Sequence, residues 1–305
     1  MDRVPLHFCE SVIDFLSVRS GDSDKFTAFK SPFWNHYAAS LATKVSICSV
    51  TFTREPDGSM WNCEVRRTHP REVISMKEFR NIPRHRLRFS KVIVEDGSAE
   101  VSMKYPYTLE QTVLPLFQAL SFQKYADELV VDLDDVSCTE RLLEIVHKKT
   151  IFSSISISAD SNNTVPMRET LFRFVKHHSE DGNCNAFLLS GCWSQEVIPW
   201  ALQTLQKRKS VNIWVSSPVV GLDVIERVFA WWDDLEHPEE INSKLCLCVD
   251  FDFSALDRFM GQTLGVRRNV RTIGKCHAKA PDVWAYAMLK NRSKLVDLCF
   301  AERLH

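Results

Sequence analysis

Glycine is scarce in this chain, since only 9 of its 305 residues are glycine. Folds that hold phosphates on glycine-rich loops carry a Walker loop or a G-x-G-x-x-G fingerprint, and the sequence contains neither. Gly261 and Gly265 are too isolated to form such a loop. The shortage of glycine therefore argues against the nucleotide-binding folds that depend on these motifs.

An excess of charge of either sign is also missing. The chain has 38 Lys and Arg against 39 Asp and Glu, which gives a formal net charge of −1 at pH 7. A dedicated nucleic-acid-binding domain is usually basic as a whole. The charge balance therefore argues against a nucleic acid partner, while the 45% content of hydrophobic residues is typical of a globular protein.

Long apolar runs are absent. A membrane-spanning helix needs about 20 apolar residues, whereas charge-free stretches such as 211–222 reach only about a dozen. His7, Glu10 and Asp14 interrupt every apolar run near the start, so we expect no signal peptide. These absences predict a protein without a membrane partner, located in the cytoplasm with the nucleus as a second compartment.

Motifs of reaction chemistry are missing as well. The 10 cysteines include no two C-x-x-C pairs of the kind that build a structural zinc site, and we expect them to be free thiols. No G-x-S-x-G nucleophile elbow occurs. We therefore expect no enzymatic activity, no cofactor and no bound metal.

What the sequence does contain is a series of changes in periodicity. Behind Pro5, the residues Phe8, Val12 and Leu16 recur at helical spacing, which predicts a short helical module over residues 1–43.

From residue 44 the pattern alternates as in strands. Asp57-Gly58 supplies a hairpin turn, and further strands are predicted over 86–94 and 99–103. Residues 44–105 are therefore predicted to form a small antiparallel β segment.

Strand-like and helix-like stretches alternate through residues 106–305. About five such units follow one another at spacings of roughly 23 to 34 residues, in or near the range of repeat arrays. Strand–helix alternation requires parallel strands with right-handed crossovers. A leucine-rich-repeat-like solenoid and an open α/β sheet both satisfy this pattern.

Alternation within the strands helps to choose between the two architectures. Ser154, Ser156 and Ser158 alternate with isoleucines, so one face of that strand is predicted to be exposed to solvent. The concave side of a curved solenoid has such an exposed face. The predicted fold class is therefore α/β, with an irregular leucine-rich-repeat-like body continuous with the β segment, and with the open α/β sheet as the alternative.

Acidic residues end two of the predicted strands, namely Asp132, Asp134, Asp135, Asp250 and Asp252. Carboxylates at the carboxyl ends of parallel strands are where α/β enzymes place bases and metal ligands such as those for Mg²⁺. The favoured interpretation is different: Asp134 and Asp252 precede helices, where Asp caps free backbone N–H groups.

Two clusters of basic residues stand out, one between residues 64 and 91 and one between 267 and 279. They predict either a solvated surface or a patch that binds an acidic partner. The candidate patch comprises Arg66, Arg67, Arg84, Arg86, Arg88, Arg267, Arg268 and Arg271.

The adjacent pair Trp231 and Trp232 lies on a predicted helix with a broad apolar face. Core packing is the expected role. Two neighbouring indoles cannot both point the same way on a helix, so one of them is a candidate interface anchor.

The chain opens with the residues Met1-Asp2-Arg3-Val4-Pro5-Leu6-His7-Phe8-Cys9-Glu10-Ser11-Val12. This start resembles a nematode-expanded family of F-box-like and F-box-associated proteins, which commonly begin Met-Asp-x-Val-Pro-Phe-x-Phe-Cys-x-x-Val. The similarity covers residues 1–16, and the order of a β segment followed by irregular strand–helix repeats matches that family loosely.

The resemblance implies a partner for the helical module. An F-box buries apolar residues against the Skp-type adaptor of a cullin-type ubiquitin ligase. Transferred to this sequence, the implied contact residues are Val4, Pro5, Leu6, Phe8, Val12, Ile13 and Leu16.

The leading expectation is therefore a protein-interaction adaptor, in one version the substrate-recruiting subunit of such a ligase. A short helical module joined to a repeat surface without catalytic motifs has the plan of a binding protein. The alternatives are a metal-dependent enzyme that uses the strand-end aspartates, and a diverged, non-catalytic structural protein.

Overall fold

The computed structural model describes residues 46–68, 70–83, 86–97, 107–120, 125–147, 149–159, 169–258, 262–267, 270–290 and 294–301. They form a mixed α/β fold, which confirms the predicted class. The predicted helical module over 1–43, its candidate adaptor contacts and the predicted strand over 99–103 lie outside the described residues. Within the described part of the chain, no helix is both long and apolar enough to span a membrane.

The chain divides into two compact units, Met1–Ile155 and Ser156–His305. The described elements of the first unit are β1 (Ser46–Arg54), β2 (Trp61–Arg67), β3 (Glu72–Ile74), α1 (Met76–Asn81), β4 (Leu87–Asp96), α2 (Leu114–Leu120), β5 (Tyr125–Asp132) and α3 (Val136–Val146). A π-helical turn, Leu109–Val113, leads into α2, and the division between the units falls within β6 (Ile151–Ala159).

Strands β1 and β2 form the hairpin that the sequence predicts. Gly58 has a φ of +76°, which favours glycine at this turn position. The carboxylate of Asp57 accepts hydrogen bonds from the backbone N–H and the hydroxyl of Ser59, both at 2.9 Å. The Asp-Gly turn signal is thus confirmed at the level of individual atoms.

The prediction of an antiparallel segment over 44–105 is wrong at β4, which runs parallel to β1. Within the first unit the strands lie in the order β5-β4-β1-β2-β3, with β4 and β5 also parallel. The reason is α1, which lies between β3 and β4 and gives the chain room to cross over before it pairs with β1. A reciprocal capping box between Ser75 and Glu78 fixes the start of α1.

The described elements of the second unit after β6 are α4 (Glu169–Glu180), β7 (Ala186–Gly191), α5 (Val197–Lys207), β8 (Asn212–Val220), α6 (Leu222–Asp234), β9 (Ser243–Val249), β10 (Gln262–Arg267), β11 (Val270–His277), β12 (Ala280–Lys290) and β13 (Leu295–Ala301). Short 3₁₀ helices occur at Pro238–Glu240 and Phe253–Arg258.

Two kinds of strand pairing meet in the second unit. β7, β8 and β9 are parallel and pair in chain order, with a helix in each connection, as the repeat pattern predicts. β9 then pairs antiparallel with β13, which continues through β12 and β11 to β10 in an antiparallel meander. The repeat pattern did not predict this meander.

An aromatic cluster anchors α6 to the meander. The ring centroids of Trp232 and Phe300 are 5.2 Å apart, and Trp232 is fully buried. Nε2 of the buried His277 donates a hydrogen bond to the carbonyl oxygen of Trp232 at 2.9 Å, and its Nδ1 accepts one from the N–H of Lys279 at 3.2 Å. Both ring nitrogens of His277 are thus used in holding strand β11 against the helix.

Candidate functional site

One face of the second unit's parallel strands is covered by apolar side chains of the helices, and the other is open. In β8, Ile213 and Val215 are buried, whereas Asn212 and Trp214 are exposed. Because side chains alternate between the two faces of a strand, this pattern separates a core face from an open face. We use "open face" for the side that carries Trp214.

The strand register brings side chains from four strands together in one row of the open face. Leu188 of β7 lies opposite Trp214, Trp214 lies opposite Cys246 of β9, and Cys246 lies opposite Asp297 of β13. Residues opposite one another in register share a face. The row therefore crosses the junction between the parallel strands and the antiparallel meander.

A groove of about 360 Å³ lies along this row. Its volume is that of a pocket for a small molecule or a single large side chain. We call it the Trp214 groove, and it is lined by Phe187, Leu188, Asn212, Ile213, Trp214, Lys244, Cys246, Leu295 and Asp297.

Trp214 is the most prominent apolar side chain of the groove, because 43% of its surface is exposed. Three other tryptophans of the second unit are almost completely buried, with Trp193 and Trp200 at 5% exposure and Trp232 at 0%, whereas Trp231 and Trp284 are partly exposed. A half-exposed indole beside a concave surface is the kind of group that dominates binding energy at protein interfaces.

A charged pair lies among the polar groups of the groove. Nζ of Lys244 is 3.3 Å from a carboxylate oxygen of Asp297. Burial lowers the pKa of Lys244, but nearby acidic groups, Asp297 first, raise it by more, so Lys244 stays charged in the neutral range. An ammonium group has three donors. The carboxylate of Asp297 engages one of them, so Lys244 has capacity to donate to a ligand.

The thiol beside Lys244 is neutral. Burial raises the pKa of Cys299, which neighbours Lys244 across the strand register. Cys246 is itself buried at 6% exposure. A thiol is a nucleophile or a metal ligand mainly as the thiolate, so Cys299 acts as a small apolar group.

Asp134 and Asp135, which follow β5, take part in contacts that join strand and helix ends. Asp135, and not the predicted Asp134, is the N-cap of α3, because its carboxylate accepts the N–H of Cys138 at 3.0 Å. Asp96 accepts the N–H of Asp134 at 2.7 Å, and Arg54 pairs with Asp96 and Asp135 at 2.6 and 3.2 Å. This arrangement is an arginine clamp between strand and helix ends.

No metal centre forms from the aspartates within the described ranges, where no group of three or more His, Cys, Asp and Glu side chains is arranged to hold an ion. In the second unit, the N–H of Asp250 donates to the carbonyl of Val220 at 3.2 Å. The carbonyl of Asp252 accepts the N–H of Ala255 at 2.9 Å, so its backbone oxygen takes part in the turn. The predicted side-chain cap at Asp252 is not among the hydrogen bonds of the described residues.

The predicted basic patch is only partly brought together. Arg66 and Arg67 line one pocket of the first unit with Arg71, which the sequence patch did not include. Arg86 and Arg88 belong to the region of β4, where Nη1 of Arg88 donates to the carbonyl of Leu87. Arg84, Arg268 and the side chains of Arg267 and Arg271 lie outside the described part of the structure.

Sequence reasoning named Trp231 and Trp232 and overlooked Trp214, although Trp231 is partly exposed as expected for one member of the pair. Trp232 is fully buried and Trp231 packs edge-on against Phe300, with ring centroids 5.5 Å apart. The signal for Trp214 was present, since it alternates with the buried residues Ile213 and Val215 behind the polar Asn212. Because alternate residues of a strand share a face, this pattern places Trp214 on the solvent-exposed face.

Comparison of the chain with protein-family models, with curated proteins and with solved structures finds no match.

Proposed function

We propose that the protein is a protein-interaction adaptor whose partner docks in the Trp214 groove. The observation that carries the proposal is the half-exposed Trp214 in the lining of a groove, since the other described tryptophans of the unit are buried or less exposed. The fitting partner is a protein segment that places an apolar side chain against the indole and a carboxylate or carbonyl oxygen on Lys244.

The body of the protein is, in this proposal, an irregular leucine-rich-repeat-like solenoid. Support comes from β7, β8 and β9, which are parallel neighbours in chain order with a helix in each connection. A doubly wound sheet reverses its strand order and covers both faces with helices, whereas a solenoid keeps the order and leaves one face open for binding.

The groove is tested by using the full chain as bait in its native cell extract and identifying the bound proteins by mass spectrometry. A genuine partner is captured by the unmodified chain and lost with Trp214→Ser. Val219→Ser is the matched control, because Val219 is also an exposed apolar residue of β8, at 53%, but does not line the groove.

The identified partner is then purified and its affinity measured directly by calorimetry. We expect Trp214→Ser to weaken binding by more than about tenfold, as for a central interface aromatic, and Val219→Ser to leave it within about twofold. Equal affinity of the two variants would remove the Trp214 groove as the docking site.

The ubiquitin-ligase version of the proposal rests on the resemblance of residues 1–16 and has its own test. The purified chain is expected to bind the Skp-type adaptor, and Pro5→Asp or Phe8→Asp to abolish that binding, since each places a charge in an apolar contact. Trp214→Ser is the control and is expected to retain the adaptor. Absence of adaptor binding to the unmodified chain rejects the ligase version and leaves the groove proposal standing.

A further inference from the structure

A second concave site lies in the first unit, where β1, β2 and β3 pair. Its volume is about 350 Å³. We call it the arginine pocket, and it is lined by Ser49, Arg66, Arg67, Thr68, Arg71, Glu72 and Val73. The strand register explains this composition in part, since Ser49, Arg66 and Val73 lie opposite one another on adjacent strands.

The lining carries an excess of positive charge. Three arginines meet Glu72 within the lining and Glu64 beside it, which leaves one positive charge uncompensated. Arg67 pairs with Glu72, and Arg66 pairs with Glu64 beside the pocket. Arg71 is exposed and has no side-chain partner among the described residues. The pocket therefore attracts an anion even though the whole chain is electrically balanced.

One donor of the pocket's arginines lacks an acceptor. Nε of Arg67 is buried and makes no hydrogen bond within the described structure, although Nη1 of the same guanidinium binds Glu72. A buried N–H group without an acceptor is unfavourable, so such groups are nearly always paired with protein, water or ligand. The unsatisfied Nε belongs to a residue of the pocket lining and is an observation independent of the charge count.

The chemistry of the donors selects the class of anion. Guanidinium groups bind tetrahedral oxyanions through two parallel hydrogen bonds, and the hydroxyls of Ser49 and Thr68 add donors that suit the remaining oxygens. A phosphate monoester carries a charge of about −1.5 to −2 at neutral pH and three acceptor oxygens, so one such group can engage Arg71 together with the other donors of the lining. A carboxylate has one charge and two oxygens, and so uses only part of this donor set.

The pocket also has room for the group that carries the phosphate. Val73 is 61% exposed and supplies an apolar contact at the pocket. We propose that the arginine pocket binds a phosphorylated side chain of a partner protein. The protein nature of the partner rests on the adaptor function proposed above, but the pocket shares no residue with the Trp214 groove, so either site can fail without the other.

The test is a fluorescence anisotropy titration of the full chain against three libraries of labelled peptides with random flanking sequences. One library has a central phosphoserine, phosphothreonine or phosphotyrosine, the second has the unmodified residues, and the third has glutamate. We expect the phosphorylated library to bind at least about tenfold more tightly than the other two, and binding to weaken with rising salt. Equal binding of the glutamate library overturns the assignment to phosphate.

Variants then locate the binding. Arg71→Ala is expected to reduce affinity for the phosphorylated library by about tenfold or more, and Arg66→Ala to do the same. Arg141→Ala is the matched control, because it removes the same charge from an exposed position of the first unit outside the pocket. An equal loss with Arg141→Ala overturns the pocket, and an unchanged melting temperature of each variant verifies that the fold is intact.

Inorganic phosphate and a nucleoside monophosphate form the last arm of the experiment. Competition by inorganic phosphate only at millimolar concentration, together with tight peptide binding, supports a protein partner. If the nucleoside monophosphate binds more tightly than any fraction of the phosphorylated peptide library, the inference that the partner is a protein is overturned. Loss of peptide binding with Trp214→Ser but not with Arg71→Ala assigns the interaction to the groove and overturns the pocket.

Discussion

The solvent-facing surfaces of the two units follow the same strand geometry but differ in chemistry. In the first unit, adjacent strands align Arg66, Ser49, Lys91 and Glu128 in one row, and Lys91 pairs with Glu128 at 2.7 Å. In the second unit, the corresponding kind of row is largely apolar and contains Trp214.

This difference shows that the alternation of side chains along a strand determines which residues reach the surface, but not what that surface binds. The first unit pairs Lys91 with Glu128 in its row and leaves a basic pocket, whereas the second unit leaves an indole half exposed. The same plan thus provides one site suited to an anion and another suited to an apolar side chain.

The largest expected effect on stability distinguishes the core face of the second unit from its open face. Trp232→Ala is expected to lower the free energy of unfolding by about 3–5 kcal/mol, because it empties the cluster formed with Phe300 and His277. Trp214→Ala on the open face is expected to cost less than about 1 kcal/mol. Urea denaturation followed by circular dichroism measures both, and similar losses would contradict the separation of core and open face.

A second test compares two arginine ion pairs within the first unit. The side chain of Arg54 is 13% exposed and binds Asp96 and Asp135, whereas Arg141 is 52% exposed and meets only Glu110 at 3.3 Å. Arg54→Met is expected to lower the free energy of unfolding by about 1.5–3 kcal/mol, because it removes two part-buried charged hydrogen bonds to Asp96 and a more exposed one to Asp135.

Arg141→Met is the control for this pair, and the expected change is within about 0.5 kcal/mol since its partner is exposed. Denaturation midpoints of the two variants in the same buffer provide the comparison. Equal effects would show that the arginine clamp contributes no more than an ordinary surface pair.

The smallest expected effect concerns pH. Burial, with a smaller contribution from Glu128, raises the pKa of Asp127 to about 7, and one of its carboxylate oxygens is buried without a hydrogen-bond partner in the described structure. The unfolded chain releases this proton at an ordinary acidic pKa. The folded state therefore binds more protons between these values, and stability falls as the pH rises through that window.

Asp127→Asn removes the charge while keeping the shape of the side chain. We expect it to raise the melting temperature at pH 8 relative to the unmodified chain and to change it much less at pH 4, where the carboxyl is protonated in the folded state. Calorimetric scans across this pH range supply the measurement. A shift of the same size at both pH values would exclude the titration of Asp127 as its cause.

Local signals in the sequence predicted local structure well. The Asp57-Gly58 turn and the strand–helix alternation are both present in the structure. The parallel pairing of β4 with β1 was missed because alternation describes one strand and carries no information about its neighbour. The predicted cap was displaced by one residue, from Asp134 to Asp135, since adjacent aspartates suit the same helix start equally.

The candidate sites were harder to predict, for a physical reason. Arg66 and Arg67 could be selected from their charge, but Arg71 joins them only because β2 and β3 form a tight antiparallel pair. Likewise, Lys244 and Asp297 are distant in sequence and meet through the pairing of β9 with β13. Sites assembled from several strands depend on register, which composition and periodicity do not encode.

The pairing of β9 with β13 also sets an order of events during synthesis. β7, β8 and β9 pair with strands that are their neighbours in chain order, whereas the other edge of β9 pairs with β13, which is synthesised later. An unpaired edge with apolar side chains such as those of Leu245 and Leu247 is prone to join another chain. The protein is therefore most vulnerable to aggregation while the nascent chain ends between β9 and β13.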